Sequence, residues 1–255
     1  MKGIKKLTNK IAPGLAIALL FIVWSLLSYS GIIPRFMLPS PLDVVRAFIE
    51  DFELLRHHAK VTLIEALLGL GIGIVLGFIV AVVMDQFKIV ARAMYPMLVI
   101  TQTVPTVAIA PLLVLWMGYG ILPKIVLVVI TTFFPITIGL LNGFASADPD
   151  AISLMKAMGA NTFQRFIHIK LPSSLSSFFG ALKISVSYSV VGAVISEWLG
   201  GFDGLGVYMT RLRKSYSFDK MFAVILFISL ISLVLMFLVT LIQKLAMPWE
   251  RKSNN

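Results

Sequence analysis

The chain has 255 residues, of which 58% are hydrophobic and 13% charged, and its formal net charge is +10. A soluble domain of this length does not need so many apolar residues, so the composition favours a membrane protein. The absence of cysteine excludes a disulfide framework, a thiolate metal site and a cysteine nucleophile. The positive charge is not accompanied by interleaved aromatic and basic residues, which gives little reason to expect nucleic-acid binding.

Apolar stretches of about 20 residues predict helices that cross a bilayer. Helices are expected because lipid cannot satisfy exposed backbone polar groups. The sequence therefore predicts an all-α membrane protein with a single domain over residues 1–255 and six spans, at about 12–33, 61–84, 93–118, 123–146, 174–199 and 220–244. The first stretch follows four lysines, but it is too long for a signal peptide and lacks a small-residue cleavage pattern. We expect it to be a retained helix.

The distribution of lysine and arginine predicts the orientation of the spans. A cytoplasmic N-terminus places twelve of these residues in inner segments and nine in outer segments. The four lysines before the first span favour the same choice. We therefore expect both termini in the cytoplasm.

Between the first two spans, Ser40 and Pro41 form a favourable helix start, with a capping side chain followed by proline. Val44, Phe48 and Leu55 then recur at helical spacing among charged residues. This pattern predicts an amphipathic helix at the outer surface.

Small residues at every fourth position mark one face of the second span: Gly69, Gly73, Gly77 and Ala81. Such a strip allows the backbone of another helix to approach closely. We interpret it as a packing surface rather than a path for a ligand.

The third span is interrupted by Pro96, Pro105 and Pro111. Proline bends a membrane helix and frees carbonyl groups, and such helices often line cavities. Gln102 and Thr103 are the strongly polar side chains at this depth, so with Pro105 they are candidates for a translocation pathway.

Residues 148–172 are unusually polar for this chain and predict two short helices separated by a bend. Asp148 and Pro149 favour the start of the first helix, Gly159 can end it with a positive φ, and Asn161 can cap the second. Apolar side chains exposed on such a projection favour docking into a groove of a partner protein.

The segment resembles the EAA motif of ABC-importer permease subunits, EAA-x3-G-x9-I-x-L-P. Gly159, Ile169, Leu171 and Pro172 match its second half, whereas residues 153–155 read Ser-Leu-Met instead of Glu-Ala-Ala. Four further stretches resemble the sulfonate, nitrate, taurine and thiamine-precursor branch of these permeases: LPSP at 38–41, TQTVPTVAIAPLLVLWMGYG at 101–120, FFPI at 133–136 and GAVISEWLGGFDGLG at 192–206. The similarity thus covers most of the chain.

This resemblance implies the type I ABC importer permease fold and several partners. Two permease copies, expected to be identical, would face each other. Each would seat residues 148–172, named here the coupling loop, on one ATP-hydrolysing subunit. An extracytoplasmic solute-binding protein would deliver the solute. The coupling residues implied are Met155, Ala157, Gly159, Ala160, Phe163, Phe166, Ile169, Leu171 and Pro172. The chain contains no Gly-Lys dipeptide and hence no phosphate-binding loop, so we expect ATP and Mg²⁺ on the partner and no cofactor or catalytic residue in this chain.

The fifth span contains Lys183 and Glu197, which are too far apart along one helix to pair with each other. Lys183 can extend to the cytoplasmic surface. Glu197 is either a capping carboxylate at the interface or an outer-gate residue that touches the solute. Ser185 and Ser189 share one face of this helix, which favours packing first and pore lining second, and Tyr188 is a further pathway candidate.

One further stretch of sequence bears on the substrate, and absent motifs bear on two rival functions. The stretch SEWLGG…GLG at 196–206 resembles permeases for a pyrimidine precursor of thiamine, and an aliphatic sulfonate, taurine or nitrate is the alternative substrate. A self-sufficient secondary carrier or channel is the main rival, but matching halves and intramembrane histidines are not evident. A membrane enzyme is disfavoured because H-E-x-x-H and G-x-S-x-G are absent from the sequence.

Overall fold

The computed structural model describes residues 2–34 and 36–249, with residues 2–13 described as backbone only. The orientation prediction also used Arg35, Arg251 and Lys252, which lie outside the described residues. The described residues are helical with connecting turns: α1 Lys2–Tyr29, α2 Pro41–Glu50, α3 Phe52–Gln86, α4 Lys88–Thr103, α5 Thr106–Met117, α6 Ile121–Ala145, α7 Pro149–Ala157, α8 Thr162–Arg165, a π-helical turn Phe166–Lys170, α9 Leu171–Glu197, α10 Leu205–Lys214 and α11 Phe218–Ala246.

The predicted all-α membrane fold is confirmed. Within the described residues, four helical segments are long and apolar enough to cross a membrane: Phe52–Gln86, Ile121–Ala145, Thr162–Glu197 and Phe218–Ala246. The pair α4 and α5, bent by 97°, can form a fifth span. In α1 the segment Gly14–Tyr29 is a shorter apolar helix. The count of six spans therefore stays a prediction.

The helix predicted to start at Ser40 is shorter than its apolar spacing indicated. Helix α2 ends at Glu50, and α3 begins at Phe52. Phe52 and Leu55 therefore belong to the long helix and not to the helix that starts at Ser40. The break falls at Asp51, whose φ of −97° and ψ of 12° depart from helical geometry.

The chain divides into two compact units, of which the first comprises residues 1–57 and 208–227. Its helix α2 has the start predicted from the sequence: the Ser40 hydroxyl accepts from the N–H of Asp43, and the Asp43 carboxylate accepts from the N–H of Ser40. Trp24 ties α1 to the same turn by donating from Nε1 to the Pro39 carbonyl at 3.0 Å.

Asp51 joins three helices of this first unit. Its carboxylate accepts a hydrogen bond from the Tyr208 hydroxyl and lies 2.9 Å from Lys220 Nζ. Burial and the neighbouring Asp51 carboxylate raise the pKa of Tyr208, so the phenol stays protonated and keeps donating.

The second unit comprises residues 58–207 and 228–255 and is built on α6. Helix α3 approaches α6 through the predicted glycine strip, because a Cβ added at Gly69 would lie 2.5 Å from Val128 Cβ. Gly73 and Gly77 face Thr132 and Ile136 in the same way. Helix α9 packs closely on α6 at Gly139 and Gly143, which leave no room for a Cβ beside Ala181 and Ser174. The strip is thus a packing surface, as predicted.

Replacing Gly69 with alanine should destabilise the helical core, because Val128 is branched at the atom that would be met and cannot move aside freely. We expect overpacking to lower the free energy of unfolding by about 1–3 kcal/mol. Thermal unfolding of the purified protein in detergent measures the effect.

Gly71→Ala is the matched control, since nothing lies within 4 Å of a Cβ at that position. It should leave stability unchanged or slightly increased, because alanine favours the helix over glycine. Equal losses for both variants would contradict the close α3–α6 approach.

Candidate functional site

The coupling loop has both helix starts expected from the sequence. The Asp148 side chain accepts from the N–H of Asp150 at 2.9 Å, and Pro149 opens α7. After α7, Gly159 has a φ of +84°, which turns the chain. Asn161 and Gln164 then form a reciprocal capping box at the start of α8, with both hydrogen bonds at 2.8 Å. The bend is therefore determined locally, by the two helix caps and by the positive φ of Gly159.

Apolar side chains project from this loop. Leu154, Met158 and Phe163 are 63%, 78% and 69% exposed. A concave pocket of about 330 Å³ lies between the two helical pieces and is lined by Met155, Met158, Gly159, Ala160, Gln164 and His168. Ala157 and Pro172 are exposed, and Ile169 and Leu171 are half-buried. The loop thus has the exposed apolar surface that docking on a partner requires.

Phe166 differs from the other residues assigned to docking. It is buried, and its ring packs on Phe144 of α6 with centroids 5.2 Å apart and planes at 63°. The resemblance to the permease motif implied that Phe166 docks on the partner together with Phe163, whereas the structure places its ring against the core. Phe166 therefore anchors the loop to the core.

A second feature is a cavity of about 280 Å³ at the break between α4 and α5. Pro105 caps α5 with extended backbone geometry, and the two helices bend by 97° there. The cavity is lined from α4, α5, α6 and α9 by Thr101, Gln102, Val104, Pro105, Thr106, Ile130, Thr131, Tyr188, Val191, Gly192 and Ile195. Its polar groups are hydroxyls and one amide.

Of the predicted pathway residues, Gln102, Pro105 and Tyr188 meet at this cavity. Thr103 does not line it and donates its hydroxyl to the Ile100 carbonyl at 2.9 Å. Ser185 and Ser189 are fully buried, and Ser185 lies 3.3 Å from the Thr132 carbonyl of α6. The serine face of α9 therefore packs within its own chain. The sequence did not predict Thr131 as a lining residue. The pattern of its helix does not distinguish a threonine that faces a cavity from one packed in the core.

Glu197 is buried rather than solvated, with 1% of its surface exposed. The N–H groups of residues 204–206, at the start of α10, donate in order to His58 Nδ1 at 3.1 Å, Thr62 Oγ1 at 2.9 Å and Glu197 Oε2. Thr62 also donates to Glu197 Oε1 at 2.7 Å. A helix start leaves such N–H groups without intrahelical partners, so side chains of α3 and α9 cap α10.

A buried ion pair lies beside this cap. Lys124 Nζ is 2.7 Å from Glu65 Oε1, and their side chains are 7% and 2% exposed. The sequence placed Lys124 in an outer loop and did not single out Glu65 or Thr62, because residues 59 positions apart give no local signal of pairing. The carboxylate of Glu197 is thus part of a capping and ionic cluster and not of the cavity lining.

The family described as "Binding-protein-dependent transport system inner membrane component" matches residues 73–251. The chain belongs to this family. The permease is 35% identical over 250 residues to the formylaminopyrimidine transport permease protein ThiX of Halalkalibacterium halodurans, covering 98% of this chain and 100% of that relative. It is also 36% identical to a probable ABC transporter permease protein of Haemophilus influenzae, over 89% of this chain and 93% of the relative.

A solved structure has the same fold. The crystal structure of an amino acid ABC transporter with histidines matches 78% of this permease and 94% of its own chain, with a TM-score of 0.61 and 15% sequence identity. Together these findings confirm the resemblance to ABC-importer permeases and the location in the membrane. Permeases of this family are transport components that work with a separate ATPase subunit and a substrate-binding protein.

Replacing Thr62 with valine should destabilise this permease, because the hydroxyl accepts from the α10 backbone and donates to Glu197. Leaving a buried N–H and a buried carboxylate oxygen without that partner should cost about 1–3 kcal/mol of unfolding free energy. Thermal unfolding in detergent measures the loss.

Thr240→Val is the control, since the Thr240 hydroxyl donates only within α11, to the Met236 carbonyl. It should change stability by less than about 0.5 kcal/mol. A Thr62 variant as stable as this control would show that α10 is not held by the cap.

Proposed function

We propose that two copies of this permease form the membrane part of an ATP-driven importer for a small polar solute. Each copy seats its coupling loop on an ATPase subunit that holds ATP and Mg²⁺, while this chain binds no cofactor and carries no catalytic residue. A solute-binding protein delivers the solute at the outer mouth, and alternating access carries it past the cavity at Pro105.

One observation carries the coupling part of this proposal. The loop combines a fixed bend at Gly159 with exposed Leu154, Met158 and Phe163, next to a pocket of about 330 Å³. Exposed apolar side chains on a rigid projection are costly in water and suit a groove on a partner. The docking residues proposed are Met155, Ala157, Gly159, Ala160, Phe163, Ile169, Leu171 and Pro172.

Gly159→Val should abolish docking, because a β-branched residue is strained at a φ of +84° although no atom lies within 4 Å of the added Cβ. We expect recovery of the ATPase subunit with the tagged permease, in mild detergent, to fall at least about tenfold, which corresponds to 1.4 kcal/mol. Gly159→Asn is the control, since asparagine tolerates positive φ and should keep the partner bound.

Two outcomes would contradict coupling through this bend. Equal recovery of the ATPase with both variants would show that the bend is not needed for docking. A permease that is purified alone and still transports solute after reconstitution would instead be a secondary carrier.

The lining of the cavity favours an uncharged, hydrogen-bonding substrate. None of the residues that line it is charged, and its polar groups are the Gln102 amide and the hydroxyls of Thr101, Thr106, Thr131 and Tyr188. Such a lining suits an uncharged heterocycle with several hydrogen-bonding atoms and offers no cation to a sulfonate or nitrate. With the 35% identity to a formylaminopyrimidine permease, this favours a pyrimidine precursor of thiamine.

Gln102→Leu should lower uptake of labelled formylaminopyrimidine by about tenfold or more, because a site built to hydrogen-bond its ligand loses discrimination when the bond is removed. Uptake is measured in proteoliposomes that contain the ATPase subunit and the binding protein. Thr103→Val is the neighbouring control, since Thr103 lies outside the cavity lining. Preferential uptake of taurine by the wild type would contradict the proposed substrate class.

A further inference from the structure

The coupling loop is attached to α3 by an ion pair. Lys170, the last residue of the π-helical turn, places Nζ 2.7 and 2.8 Å from the two carboxylate oxygens of Asp85. The two side chains are 27% and 12% exposed, so the pair is shielded from much of the solvent. Charge-assisted hydrogen bonds of this kind are stronger than neutral ones.

Asp85 occupies a position at which its own helix disfavours a negative charge. It lies in the last turn of α3, where the negative end of the helix dipole disfavours a carboxylate. The Gln86 amide donates to it at 3.4 Å, but its two shorter hydrogen bonds come from Lys170, 85 residues away in sequence. The contact with Lys170 therefore offsets an unfavourable placement, which indicates that the pair serves the attachment of the loop rather than the stability of α3 alone.

Two further attachments join the loop to the same group of helices. Phe166 packs on Phe144 near the end of α6, and the π-helical turn continues directly into α9. Helices α3 and α9 each approach α6 through glycines, at Gly69 and Gly143 among others. Backbones that pack this closely can slide little without clashes, so α3, α6 and α9 form a stiff group.

We propose that Asp85 and Lys170 are a positioning pair, which makes α3 follow the coupling loop so that α3, α6 and α9 move together. The inference rests on the proposed function, since it assumes that an ATPase moves the loop. The loop lacks the usual acidic residue of its motif, with Ser153 in that place. The loop is held instead by the ion pair from Lys170 to Asp85 of α3, and this contact stays closed throughout the transport cycle.

The test uses the full complex of permease, ATPase and binding protein in proteoliposomes, with solute uptake and ATP hydrolysis measured in parallel. Asp85→Asn and Lys170→Met should leave ATP hydrolysis active while uptake per ATP falls at least about fivefold, the lower range of coupling between sites. The double variant Asp85→Lys with Lys170→Asp should recover most of the loss. Lys88→Met, at an exposed lysine near Asp85, should behave as the wild type.

Unchanged uptake per ATP in assembled single variants would overturn the pair, as would failure of the exchanged charges to restore coupling. A wild-type complex without ATP-dependent uptake would instead overturn the proposed function. Since the chain contains no cysteine, Asp85→Cys and Lys170→Cys can be joined by a short thiol-reactive linker, even if the single variants assemble poorly. Wild-type coupling in the linked protein supports a contact that stays closed, and loss of transport only after linking overturns it.

Discussion

The approach of α3 and α9 to α6 is the constraint on which unit 2 depends. Lipid is as apolar as the side chains, so burial of apolar surface gives helices in a bilayer little reason to associate, and close van der Waals packing must provide it. Glycines at 69, 73 and 77 on α3, and at 139 and 143 on α6, allow that contact. The cavity, the capped start of α10 and the anchored end of the coupling loop are all positioned by these three helices.

Buried polar groups in this framework form hydrogen bonds and ion pairs with one another within the chain. Thr62 and Glu197 hold the first N–H groups of α10, and Lys124 pairs with Glu65 beside them. Loss of one partner from a buried ion pair is strongly destabilising, because the other charge is then buried without compensation. The cluster therefore tolerates little rearrangement. The bent pair α4–α5 is different, because its break exposes hydroxyl and amide groups to a cavity. The unit therefore combines a stiff polar cluster with an interrupted span.

Local chemistry made much of the structure predictable. Ser40, Asp148 and Asn161 mark helix starts through caps that act over three residues, and the spacing of Gly69, Gly73 and Gly77 marks a packing face. Pairings between distant residues could not be foreseen, which is why the partners of Glu197 and Lys124 were missed. The contact between Phe166 and Phe144 could not be predicted either, because it joins the loop to a separate helix. At the cavity, Gln102 and Pro105 were found because polar residues and proline stand out in an apolar helix, whereas Thr131 does not.

The break at Pro105 also changes the electrostatics of the cavity. A continuous helix would bury its peptide dipoles, but here α4 ends and α5 begins at the same place. The residues at this break that line the cavity are Thr101, Gln102, Val104, Pro105 and Thr106. The end of α4 carries a partial negative charge and the start of α5 a partial positive one, each of about half an elementary charge. The cavity thus offers both electrostatic signs without an ionised side chain. A neutral molecule with donors along one edge and acceptors along another would match these two partial charges, together with the Gln102 amide and the hydroxyls that line the cavity.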